Sequence, residues 1–228
     1  MNDGLALALS LVWVPAVVAV AEGLRRSGRV SFGLSRKIIH VGIGTWILPT
    51  VLLFHSRWLA AAPPALFTLL NALSLRFHWT KSMDAEAGSN AGTIWFPLSF
   101  TVLIMGLWGV EGGKAAACAG LLALAWGDAA AALVGQRWGR HRYRTGDGWR
   151  SLEGSAAMLV FSALAIVTAG VVTASATGAH PYGPGRVAAV AVVATLLEAA
   201  GRRGSDNFLV PVGTALLLWG LGLVLPMG

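Results

Sequence analysis

Apolar stretches of about twenty residues recur along almost the whole chain, separated by short polar segments. A hydrocarbon core of about 30 Å needs roughly 20 apolar residues in a helix, because a backbone in lipid must satisfy its own hydrogen bonds. The pattern predicts spans at Gly4–Ala21, Ile38–Phe54, Trp58–Leu75, Thr93–Val110, Ala115–Gly135, Ser155–Ala176, Val187–Ala200 and Phe208–Leu225. The fold class expected is therefore all-α: a polytopic membrane bundle of seven or eight helices, one domain over residues 1–228. The seventh stretch is short and closes on Glu198, which is why the count stays at seven or eight. Pro63, Pro64 and Pro97 fall inside apolar stretches and predict kinks or first turns. The first stretch follows Asp3 and lacks a basic n-region and a small-residue cleavage site, so it reads as a retained helix.

Composition supports lipid as the main solvent: 12% of residues are charged, 56% are hydrophobic, and the mean hydropathy is +0.68, against about a quarter charged in soluble domains. A single cysteine, Cys118, excludes a disulfide framework and a cysteine metal site. The net charge of +7 comes from basic residues in the connections, with no separate basic domain or base-stacking motif. Anionic lipid headgroups, not nucleic acid, are the partner this distribution fits.

Lys and Arg split 14 to 3 between alternate connections. The rule that positive residues stay inside puts segments 22–37, 76–92, 136–154 and 201–207 in the cytoplasm and both termini outside. The location expected is the cell, or inner, membrane.

The polar residues with chemical potential fall in those same segments. Arg36 and Lys37 lie four and three residues before His40, on one helical face, and two cations with an imidazole suit a phosphate. Asp128 lies nine residues before Arg137, on the order of 13 Å inside the helix end, where a carboxylate is costly unless it meets water, a cation or a metal. Ala132, Gly135 and Gly139 continue its face, bare enough for a ligand or another helix. In Arg150-Ser151-Leu152-Glu153-Gly154-Ser155, Gly154 and Ser155 resemble a helix N-cap with amides for phosphate, and Glu153 there calls for a divalent cation. Glu86 to Pro97 is a small-residue segment, and Glu198 to Asn207 an acidic helix end followed by Arg202, Arg203, Asp206 and Asn207; either also fits an ordinary turn. His55, His78, His141 and His180 have no ligand partner at helical spacing, which argues against a histidine metal site. No Gly-x-Ser-x-Gly elbow, Walker A loop or dinucleotide fingerprint occurs, so any nucleotide site uses another design.

At these residues the chain resembles the CTP-dependent polyprenol kinase family of phytol, farnesol and dolichol kinases and CTP-dependent diacylglycerol kinases. The matching pieces run in family order: Arg36-Lys37-x-x-His40, Gly92-Thr93-x-x-Phe96-Pro97, Gly127-Asp128-x-x-Ala131-x-x-x-Gly135-x-x-x-Gly139, Ser151-x-Glu153-Gly154-Ser155 and Asp206-Asn207-x-x-x-Pro211. Arg150 stands where the family pattern has Lys. The resemblance implies transfer of the γ-phosphate of CTP to a membrane isoprenoid alcohol of the phytol, farnesol, geranylgeraniol or polyprenol type, with Mg²⁺ or another divalent cation. It implies metal or base roles for Asp128 and Glu153, and phosphate binding by Arg36, Lys37 and Arg150, to which Ser151 and Ser155 are added. Asp206 and Asn207 take metal or nucleotide contacts, and His40 positions phosphate or hydroxyl. The enzymatic alternatives are a diacylglycerol kinase and a phosphatidate cytidylyltransferase. The non-enzymatic ones are a membrane transporter, which predicts inverted repeats and a midplane site, and a lipid-binding scaffold, which does not require the acids.

Overall fold

The computed structural model describes residues 2–77, 91–145, 148–177 and 182–224. The helices are α1 (Asp3–Arg26), α2 (Phe32–Thr45), α3 (Ile47–Leu53), α4 (Arg57–Phe77), α5 (Ala91–Leu107), α6 (Gly113–Trp138), α7 (Leu152–Thr177), α8 (Pro184–Ala200) and α9 (Asp206–Val224). Four helices are long and apolar enough to cross a membrane: α1, α4, α6 and, over Leu152–Ser175, α7. Shorter apolar helices among the described residues run over Gly92–Leu107 and Asp206–Gly222. The second expected span is broken between α2 and α3, where Trp46 N–H bonds Ile43 O at 3.1 Å, an i→i−3 bond that tightens the turn.

Helix α6 is the enclosed centre, with Ala116–Ala125 almost wholly buried. Alanine and glycine let its neighbours approach: a Cβ on Gly120 would sit 2.3 Å from Pro211 O on α9, and one on Gly127 2.6 Å from Met158 Sδ on α7. The outer helices α1 and α4 instead expose Leu5, Val12, Val20, Leu66, Leu69 and Leu70, the surface that lipid solvates.

Two departures from regular helix shape the interior. In α5, Pro97 has no N–H for the Thr93 carbonyl, and Asn71 Nδ2 on α4 donates to it at 2.8 Å instead. In α6, Ala123–Asp128 forms a π-helical turn ending on Asp128; such wide turns re-aim the residues that follow.

The connection between α6 and α7, expected as a loop, contains a hairpin: β1 (Arg142–Thr145) pairs antiparallel with β2 (Gly148–Ser151), Tyr143 opposite Arg150. Leu152 N–H donates to His141 O at 2.9 Å and carries the hairpin into α7. The cap of α7 is Ser151, not Gly154 or Ser155: Ser151 Oγ accepts from Gly154 N at 3.1 Å. The glycines around it serve packing. A Cβ on Gly139 would meet Gly135 O at 2.3 Å and Ser151 Oγ at 2.8 Å, and one on Gly154 would meet Ala131 O at 2.9 Å. The bare face after Asp128 is thus where another helix approaches at Gly135, while Ala132 lines a cavity.

Candidate active site

The first turns of α2 carry Arg36 and Lys37 toward the π-turn of α6. Lys37 Nζ lies 2.6 Å from Asp128 Oδ2, and His40 Nε2, one turn deeper, lies 3.6 Å from the same oxygen. At that distance His40 makes no hydrogen bond to Asp128, and its Nε2 is buried without a partner among the described residues. The backbone of Leu124, inside the π-turn, hydrogen-bonds the imidazole. With Nε2 unpartnered, a ring proton on Nδ1 toward that backbone would leave Nε2 as an acceptor. The ring packs against Phe96 with centroids 4.3 Å apart.

A second cation, Arg150 at the end of β2, faces α8 and α9. It pairs with Glu198 and places Nη2 3.7 Å from Asp206 Oδ2, while its Nε is buried and unpartnered among the described residues. Glu198 is only 2% exposed. A tight turn between α8 and α9 brings it back to Asp206: Arg203 and Gly204 both adopt positive φ, and a Cβ on Gly201 would lie 2.6 Å from Asp206 Cβ. Asp128, Glu198 and Asp206 each offer a carboxylate oxygen, all within 4.8 Å of one another. Oxygen donors alone, with three negative charges against Lys37 and Arg150, match what a hard divalent cation requires.

These groups, except the buried Glu198, form one end of a cavity of about 800 Å³. Arg36, Lys37, His40, Asp128, Arg150, Asp206 and Asn207 line it, and so do Val14, Ile43, Trp46, Pro63, Phe67 and Phe100 further along the helices. One end is charged and the other apolar, with His40 and Phe96 between.

Seven of the residues singled out in the sequence are thus brought together. Ser151, Glu153 and Ser155 are not among the lining residues. Ser151 is committed to capping α7, Ser155 Oγ lies 2.6 Å from Tyr143 OH, and Glu153 bonds His141 Nδ1 at 2.7 Å and its backbone amide at 3.2 Å on the outer side of the hairpin. Glu153 also lies outside the carboxylate trio. Glu198 takes the third place there, although the sequence marked it only as the acidic end of a helix. Its signal was a lone carboxylate closing an apolar helix eight residues before Asp206, with Gly201 and Gly204 between them. Of the segment 76–92, residues 78–90, with Lys81 and Glu86, lie outside the described residues, as does His180.

No protein-family model matches the chain, and no solved structure matches it significantly. A phytol kinase from Synechocystis sp. is 34% identical over 215 residues, covering 94% of this chain and 91% of that protein.

Proposed function

This chain belongs to the CTP-dependent polyprenol/phytol kinase family, and on that footing we propose that it transfers the γ-phosphate of CTP to the hydroxyl of a membrane isoprenoid alcohol. The observation that carries this reading is the cavity itself: a charged end able to take a triphosphate is continuous with an apolar end able to take a hydrocarbon chain. A nucleotide alone does not need the second, and a solute path does not need the blend.

In this reading Arg36, Lys37 and Arg150 bind triphosphate oxygens, aided by Asn207, which lines the same end. Asp128, Glu198 and Asp206 would hold Mg²⁺ or another divalent cation, which would supply charge neutralisation to the phosphates. His40 orients the alcohol: its free Nε2 accepts the hydroxyl proton as the alcohol oxygen bonds to the γ-phosphorus. The bond from that phosphorus to the β,γ-bridging oxygen breaks, and CDP leaves with the electron pair. Water is the competing nucleophile here, and the Phe96 ring covers one side of the His40 imidazole with hydrocarbon. The charged end faces the cytoplasm, where the nucleotide is.

The test is purified protein with CTP or ATP labelled at the γ-phosphate, and in parallel CTP labelled in the base. The acceptors are isoprenoid alcohols, diacylglycerol and phosphatidate. The expected result is γ-label in the isoprenoid alcohol, faster from CTP than from ATP. Equal or faster turnover with ATP would remove the donor assignment. Label on diacylglycerol only, or cytidine incorporated into phosphatidate, would replace the acceptor and the reaction class respectively.

A further inference from the structure

The apolar part of the cavity ends blind. The deepest lining residue is Ser10 on α1, Thr50 on α3, Ala60 on α4 and Ile104 on α5. Roughly one turn beyond, on α1 and α5 and just past the end of α3, stand Ala6, Leu107 and Phe54, which are buried, belong to the continuous apolar core and do not line the cavity. The polar side chains that line this end bond within the protein. Ser10 Oγ donates to Ala6 O at 2.9 Å and accepts from Trp46 Nε1 at 2.9 Å, and Thr50 Oγ1 donates to Trp46 O at 2.7 Å. Trp46 is clamped as well, stacked on Trp13 at 4.8 Å, whose own Nε1 donates to Gly42 O at 3.0 Å. The hydroxyls of Ser10 and Thr50 and the indole N–H groups of Trp46 and Trp13 are thus used internally, which leaves hydrocarbon surface to meet a ligand.

Resting on the kinase reading above, we propose that this blind end sets the length of the acceptor, so that the protein selects short isoprenoid alcohols over long polyprenols. From His40, where the hydroxyl is held, to Thr50 is ten residues across the turn at Trp46, at most about 15 Å of helical rise. An extended carbon chain advances ~1.2 Å per bond, so that depth takes on the order of a dozen main-chain carbons, about three isoprene units. A longer chain would have to displace the Trp46–Ser10 clamp or the core beneath it. Trp46 and Ala60 are the length-determining residues: one is the largest side chain at the floor, and the other is the smallest, with room for a side chain only at the ligand's expense.

The experiment uses two opposing variants and reads ratios, which do not depend on the fraction of molecules folded. Ala60→Leu should lower the kcat/KM ratio of geranylgeraniol to geraniol at least about tenfold, since a few methylenes in an apolar pocket are worth that much. Trp46→Leu, which leaves Ser10 bonded to Ala6 O, should raise the ratio of a five-isoprene alcohol to geranylgeraniol by a similar factor. Binding of tritiated geraniol, geranylgeraniol and the five-isoprene alcohol is measured in parallel without nucleotide. If no alcohol is phosphorylated but the binding ratios shift as stated, the kinase reading fails and the length reading stands. If both variants keep the wild-type ratios in binding and turnover, the chain leaves the cavity sideways between α1 and α4, and the proposal is overturned.

Discussion

Lys37 at the start of α2 and Asp128 at the end of the π-turn of α6 are 91 residues apart in sequence and 2.6 Å apart in space. Their ion pair joins the two segments that carry the strongest chemical signals. Beside it lies the buried His40, whose free nitrogen is 3.6 Å from the same carboxylate oxygen.

Asp128→Asn keeps the shape of the side chain and removes its charge. If Asp128 holds the cation, turnover per folded molecule falls by at least about a hundredfold, because each 1.36 kcal/mol of lost transition-state stabilisation is tenfold in rate. If its role is only to pair with Lys37, folded yield drops while surviving molecules keep their activity. Activity normalised to monodisperse protein from size-exclusion chromatography distinguishes the two.

Glu198→Gln tests the residue that the fold, rather than the motif, supplies. The amide retains a hydrogen bond to Arg150 but leaves a buried guanidinium half-paired, with Asp206 at 3.7 Å as its remaining carboxylate. Thermal unfolding in detergent should report about 1–3 kcal/mol of destabilisation, below the cost of fully breaking a buried pair. Calorimetric titration with Mg²⁺ should show weaker binding by at least tenfold. Unchanged Mg²⁺ binding would take Glu198 out of the trio.

His40→Gln removes the proton acceptor while keeping a polar group beside Phe96. Steady-state kinetics should show kcat reduced on the order of 10²- to 10⁴-fold with KM for CTP little altered. A rise in KM for the alcohol with kcat intact would make His40 a binding group only.

Gly139→Ala introduces a methyl where Gly135 O would be 2.3 Å away and Ser151 Oγ 2.8 Å. The hairpin and the first turn of α7 must shift, at a cost of about 1–3 kcal/mol. Unfolding temperature should fall, and activity should fall with it, since Arg150 sits next to Ser151. A variant with wild-type stability would show that this packing is looser than described.

Cysteines introduced at Ser27 and Arg142, both exposed and both at the charged end, report sidedness. In intact cells neither should react with an impermeant thiol reagent, and both should react after permeabilisation. Labelling of either from outside would invert the proposed orientation.

The helices were legible because their cause is local. Each apolar run must close its own backbone hydrogen bonds in lipid, so hydropathy alone locates α1, α4, α6 and α7 to within a few residues. Arg36, Lys37, His40, Asp128, Arg150, Asp206 and Asn207 were also visible, because charged groups are expensive at membrane depth and stand out against apolar surroundings. Which of them meet was not visible. The break at Trp46 is held by Ser10 and Trp13, far away in the chain, while the hairpin at Arg142–Ser151 and the turn at Arg203–Gly204 are closed by short-range hydrogen bonds that apolar periodicity does not register. The tertiary fold alone therefore brings Glu198 to Asp128 and Asp206. It also turns Glu153 outward to His141, gives Ser151 to the cap of α7, and closes the apolar cavity above Phe54 and Leu107.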